Sequence, residues 1–211
     1  NASDALDRVR LEALTDHDLL AADETLEIRL ETDSNTRTLS IADNGIGMTR
    51  AEVAENIGTI AKSGTRELVE RLQSAQSGDA AQLIGQFGVG FYSVFMVAER
   101  ITLITRRAGE EAATRWSSTG DGTYELADDN RFSRGTTVTL QLKPVDADHG
   151  LSDFTDPTVL QGLVKRYSDF VSYPIKATVP TPGAEASVTP EERTINSMQP
   201  IWTRSVSEVK D

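Results

Sequence analysis

Two glycine-rich strings, IADNGIGMT at residues 41–49 and LIGQFGVGFYS at residues 83–93, restrict the folds open to this chain more than anything else in it. Glycine lets a backbone turn sharply and come into contact with another backbone or a flat ligand, but it gives up more conformational entropy on folding than any other residue. Such density points to places where close approach is needed. The first string follows a hairpin pattern. Residues 25–31 (TLEIRLE) and 37–42 (RTLSIA) alternate apolar and polar, and Asp33, Ser34 and Asn35 supply turn chemistry between them. Asp43 therefore ends a strand, and Gly45 and Gly47 carry the chain away from it. In the second string Gly85, Gly88 and Gly90 precede FYSVFMVAER, which reads as a core-packed helix. Bare amides and a helix N-terminus there can point at an anion.

The rest of the chain reads as one large domain. Ala2, Ala5, Leu6, Val9, Leu11 and Leu14 recur mostly at spacings of three and four, a helix period at full strength from the first residue, so the domain is expected to begin upstream of Asn1. Thr49 and Glu52 form a capping-box pair opening a helix towards Ile57, and a second helix is expected over 65–76. Strands are expected at 101–106, 113–118, 136–143 and 175–179, with a helix over 158–170 through Val159, Leu160, Leu163, Val164 and Tyr167. Residues 144–157 read as an acidic loop, and 180–192, rich in Pro, small and acidic residues, as a solvated loop or linker. The expected division is a domain over 1–195, then a linker and the start of a following domain over 196–211.

Composition excludes several functions. With 21 Lys and Arg against 33 Asp and Glu, the net charge of −12 repels phosphate backbones and anionic lipid, so neither nucleic acid nor a membrane is an expected partner. There is no cysteine to form a disulfide, a thiolate metal site or a thiol nucleophile, which fits a reducing cytoplasm. No apolar run reaches the roughly 18 residues of a membrane span. His17 and His149 each stand in an Asp-rich polar stretch with no second ligand nearby. A Walker A loop needs Gly before Lys, but Ala61 precedes Lys62; a dinucleotide fingerprint starting at Gly88 needs Gly where Ser93 stands.

A buried carboxylate at Asp43 would accept a hydrogen bond from an exocyclic amine such as that of adenine. Guanine would set acceptor against acceptor, at a cost of roughly 1–3 kcal/mol for the unpaired group. The glycine string before residue 91 offers a phosphate cradle, and Lys62 a point charge for a terminal phosphate. The bland alternatives are an ordinary Asp-Asn-Gly turn, helix-packing glycines in a tight loop and a solvated surface lysine.

Taken together, these segments resemble the superfamily of type II topoisomerase ATPase subunits, heat-shock protein 90, sensor histidine kinases and mismatch-repair MutL proteins. NASDALD, DNGIGMT, NIGTIAKSGT, IGQFGVGFYS and IWTR narrow the resemblance to the bacterial branch of the heat-shock protein 90 family, across essentially the whole chain. The resemblance implies a two-layer α/β sandwich of the Bergerat type, a mixed sheet under helices with a mobile ATP lid over about 58–92. It implies an N-terminal ATP-binding domain for a homodimeric, ATP-driven chaperone that clamps on client proteins in the cytoplasm. Asp43 would bind the adenine amine with Thr136 helping through water; Gly47, Met48 and Ile57 would pack at the base, and Asn56 would reach the sugar and phosphates. Asn1 would coordinate Mg2+ together with the phosphates of ATP or ADP, and Asp4 and Ala5 would line the same helix wall. Lys62, Ser63 and the run Gly85, Gln86, Phe87, Gly88, Val89, Gly90 and Phe91 would hold phosphates.

The family's general-base Glu lies four residues before the position of Asn1, so no catalytic residue is assigned in this chain. The strand and helix expected before Asn1 exchange between partners in the family, and a chain without them is expected to exchange a strand or self-associate at a sheet edge. Two other readings are a DNA-directed ATPase of topoisomerase or mismatch-repair type, which the net charge opposes, and a nucleotide sensor without catalysis.

Overall fold

The computed structural model of this chain describes residues 1–21, 24–58, 91–146, 151–179 and 191–199. The alternating stretch forms β1 (Ile28–Asp33) and β2 (Thr38–Asp43), an antiparallel hairpin. Its turn is closed by the Asp33 carboxylate, which accepts from the N–H groups of Asn35 at 2.8 Å and Thr36 at 3.3 Å. Six further strands follow: β3 (Ala98–Arg106), β4 (Ala113–Ser118), β5 (Glu125–Asp129), β6 (Gly135–Leu142), β7 (Ile175–Val179) and β8 (Glu191–Thr194). They make an eight-stranded sheet in the order β5-β4-β3-β6-β2-β1-β7-β8, antiparallel at every pairing except β1 with β7.

One face of the sheet is apolar and carries the helices. Register places Leu39 opposite Leu140, Leu140 opposite Ile101, and Leu103 opposite Trp116, and these side chains pack with Val53, Phe95 and Leu160. A second cluster joins Ile28, Ile175, Ala177 and Val179 of the sheet to Leu6, Val164 and Ile195, and Ile41 packs against both clusters. The other face is polar, as period-2 alternation requires, with the Ser40 and Thr139 hydroxyls 2.9 Å apart. The architecture is thus a mixed sheet covered by helices, the α/β sandwich expected from the sequence. The segment expected to form the lid lies almost wholly outside the described residues.

The helices are α1 (Ala2–Glu12), α2 (Arg50–Glu52) and α3 (Pro157–Tyr167). Thr49 and Glu52 make both halves of the expected capping box, after which the chain widens into a π-helical turn over Val53–Gly58. Asp156 caps α3 by accepting from Thr158 N–H at 2.7 Å. Several expectations need correction. In α1 Leu6 and Val9 are buried, whereas Leu11 and Leu14 are 65% and 70% exposed, because Leu11, two residues after Val9, turns to the opposite side of the helix and Leu14 lies beyond its end at Glu12. The helix expected after the second glycine string is a short 3-10 turn, Tyr92–Met96, and its presumed continuation AER begins β3. Strand β5 was not expected, and Glu191 and Glu192, read as linker, start β8.

Candidate functional site

The DNGIG segment is held against two other elements. An added Cβ at Gly45 would lie 2.6 Å from the carbonyl carbon of Ala5, so α1 packs directly on this loop, and Ile46 N–H donates to Ala5 O at 3.0 Å. Gly47 has φ +68°, and a Cβ there would stand 1.9 Å from Arg106 O. Both glycines are therefore needed for contact with backbone: the first seats α1, the second seats the end of β3. Met48 N–H then donates to the Thr105 hydroxyl at 3.0 Å, which also lies 2.9 Å from the Thr136 hydroxyl and 3.2 Å from Gly135 O.

These contacts frame a cavity of about 610 Å³ between α1, the sheet and α2. Ile41, Ile46, Met48, Ile57, Val94, Leu103, Val138 and Leu140 give it apolar walls. Its size and lining fall in the range of small-molecule sites. Asn1, Asp4, Ala5, Asp43, Gly47, Met48, Asn56, Ile57, Phe91 and Thr136, all singled out from sequence, line this one space. Lys62, Ser63, Gly85, Gln86, Phe87, Gly88, Val89 and Gly90 lie outside the described residues.

Asp43 is the buried charge of this site, 8% exposed at the end of β2 opposite Thr136. Burial pushes its carboxyl up to about 6, against hydrogen bonds from the main chain of Gly45 (2.9 Å) and Thr136 and the positive charge of Arg131. Two main-chain donors leave a carboxylate with acceptor capacity, so at neutral pH the group offers an anionic acceptor to a donor in the cavity.

Sequence reasoning missed Thr105, Arg8 and Glu52. Thr105 is fully buried, and its signal was a hydroxyl residue in phase with Ile101 and Leu103 on the apolar face of β3. Glu52 lines the cavity as well as capping α2. Burial alone would raise its carboxyl, but Thr49 hydrogen bonds and the charges of Arg107 and Arg8 hold it below the usual value. Asp7, by contrast, accepts from the Tyr173 hydroxyl at 2.7 Å, which ties the rear of α1 to the chain entering β7.

A buried carboxylate at a strand end, a glycine turn seated on a helix and an apolar pocket between them define a nucleotide-site class that comparison with known proteins identifies. The profile of the "Histidine kinase-, DNA gyrase B-, and HSP90-like ATPase" family matches residues 14–130, more than half of the chain, and the chain belongs to that family. Within it, the chain is similar to proteins named "Chaperone protein HtpG". It is 50% identical to that of Salinispora arenicola over 212 residues, covering 100% of this chain and 33% of the relative. The corresponding proteins of Mycobacterium avium and Mycobacterium tuberculosis are each 49% identical, again over 100% of this chain and 34% of theirs. The chain thus spans about a third of the length of these relatives.

Proposed function

We propose that this chain is the nucleotide-binding domain of an ATP-dependent molecular chaperone, and that the cavity takes ATP or ADP with the base amine on Asp43. The observation that carries the reading is a buried carboxylate in a cavity with largely apolar walls, opposite Thr136 and beside the DNGIG turn. Met48 and Ile57 supply flat apolar contact for the base, Thr136 a hydroxyl beside the carboxylate, and Asn56 reaches the sugar and phosphates. Lys62, Ser63 and residues 85–90 are assigned to the phosphates on family resemblance alone.

Magnesium fits the donor set in a restricted way. Asn1 is an exposed residue on the cavity wall with a neutral amide oxygen, and the described residues hold no cluster of three His, Cys, Asp or Glu side chains. Mg2+ would therefore be held chiefly by the nucleotide's own phosphates, with Asn1 as the protein ligand, which is how this ion usually binds. When bound it offsets phosphate charge. At the level of the whole protein we infer a homodimer in which ATP binding and hydrolysis drive clamping on client proteins in the cytoplasm. Full-length matching of this chain to relatives named as chaperones supports that inference.

Calorimetry with ATP, ADP and GTP on the unaltered chain and on Asp43→Asn tests the site. ATP and ADP are expected to bind the unaltered chain, GTP weakly at best, and none of them the variant, which should remain folded by thermal melting. An Asp43→Asn protein with unchanged ATP affinity would remove Asp43 from the base site.

A further inference from the structure

Behind the sheet from the cavity lies a charge that has no carboxylate partner among the described residues. Arg131, in the β5–β6 connection, is half-buried. Its guanidinium donates to Thr137 Oγ1 at 2.6 Å, Ser133 O at 2.8 Å, Arg134 O at 3.3 Å and the main-chain O of Asp43 at 3.5 Å. It forms no ion pair among the described residues. Arg134, close by in the chain, grips Glu24 with two bonds of 2.8 Å. Neighbouring residues of a strand point to opposite faces, so Thr137 faces away from the cavity that Thr136 lines, and Arg131 sits on the back of the sheet under the end of β2.

Two desolvated groups of opposite charge therefore meet across one strand end, the Asp43 carboxylate in front and the Arg131 guanidinium behind. A charge removed from water needs a counter-charge or a full set of hydrogen bonds. Here each supplies part of what the other lacks: Arg131 lowers the carboxyl of Asp43, and Asp43 in turn favours the charged form of Arg131.

We propose that Arg131 is a positioning residue for base recognition, which stands behind the end of β2 and supplies, through the sheet, the counter-charge for the Asp43 carboxylate where a base amine meets it. The proposal rests on the reading of the cavity as a nucleotide site. Other charges face this pair from each element packed on it. From α1 the Asp4 carboxylate and the Arg8 guanidinium line the same cavity. From β3 Arg106 opposes the charge of Arg131, while Asp129 of β5 favours it and is also bound by Arg115 at 3.0 Å. Across the cavity Arg8 is bound to Glu12 at 2.9 Å, and Glu52 lies 3.6 Å from Arg107.

The test follows the Asp43 carboxyl carbon by NMR titration of the nucleotide-free chain, unaltered and as Arg131→Gln and Arg131→Lys. ATP affinity of the same proteins is measured by calorimetry from about pH 5.5 to about pH 8.5. In Arg131→Gln the Asp43 midpoint is expected to rise by about half a unit or more, and ATP affinity below the midpoint to fall about threefold or more. The deficit should close towards the alkaline end, and Arg131→Lys, which keeps the charge but not the fork of hydrogen bonds, should track the unaltered chain. An unmoved Asp43 midpoint in a folded Arg131→Gln overturns the proposal. So does an affinity loss of equal size at every pH that Lys shares, since that marks a purely structural role. Failure of the unaltered chain to bind ATP at any pH overturns the nucleotide reading and this role with it. The NMR titration needs no nucleotide, so that failure is told apart from the failure of Arg131 alone.

Discussion

At the scale of the residue, the recognition proposed for Asp43 comes with a cost in stability. Its folded-state value of about 6 lies above the ordinary carboxylate value because burial disfavours the charged form. The native state therefore binds the proton more tightly than the unfolded chain does. Stability from this group is complete at low pH and is lost as pH rises through about 6, reaching about 3 kcal/mol for a shift of about two units. Asp43→Asn keeps an acceptor for Gly45 N–H and removes the titrating charge, so the nucleotide-free variant is expected to gain stability on its parent as pH rises. Its advantage should grow from about pH 4 to about pH 6 and stay level above, as read by urea denaturation of both proteins. A variant no more stable at neutral pH than near pH 5, relative to its parent, contradicts this. The residue proposed to make the cavity selective is thus one whose charge burdens the fold above about pH 6. Its position at a strand end before two glycines was legible in the sequence; its depth was not, because burial depends on β6 and α1 closing over it.

Elements carry the geometry of the site through backbone contact. The Gly45 approach to Ala5 sets the distance between α1 and the loop, so Gly45→Ala forces α1 outward or strains the turn, an overpacking cost of about 1–3 kcal/mol. Melting should fall accordingly and ATP affinity with it, since Asn1, Asp4 and Ala5 ride on that helix; a variant with parental melting and affinity would show that the helix is not seated by this glycine. The same contrast explains which elements could be read from sequence. The β1–β2 hairpin, β4, β7 and the capped start of α2 depend on local alternation, turn chemistry and capping, and they appear where those signals stand. Strands β5 and β8 are edge strands with mostly polar sequences, ELADD and EERT, and become strands only because β4 and β7 offer them partners. The run FYSVFMVAER held both a helical period and β-branched residues, and pairing of β3 with β4 and β6 decided its second half.

For the whole molecule, two apolar clusters share one sheet, with Ile41 between them and α3 touching both through Leu160 and Val164. The second is pinned by Asn196, 6% exposed, whose amide accepts from Ile175 N–H at 2.8 Å and donates to Tyr173 O at 2.9 Å and Val171 O at 3.0 Å. Asn196→Ala orphans three main-chain groups and is expected to cost about 2–4 kcal/mol. Because the clusters are joined, calorimetry should show one transition moved down as a unit; a separate early transition for part of the heat would mean that they fold independently. No sequence signal marked Asn196, since its partners lie 21 to 25 residues away. The other cluster encloses Trp116, fully buried, with an indole N–H that has no partner among the described residues and with its ring edge-on to Phe91 at 5.7 Å and stacked near Tyr124 at 6.2 Å. Phe91 is also part of the cavity wall. An indole so shielded emits at the blue end of its range, and a nucleotide that shifts Phe91 must alter that emission. With Trp202, the other tryptophan of the chain, replaced by Phe, the protein carries its own fluorescent gauge of the cavity, one aromatic ring removed from the ligand.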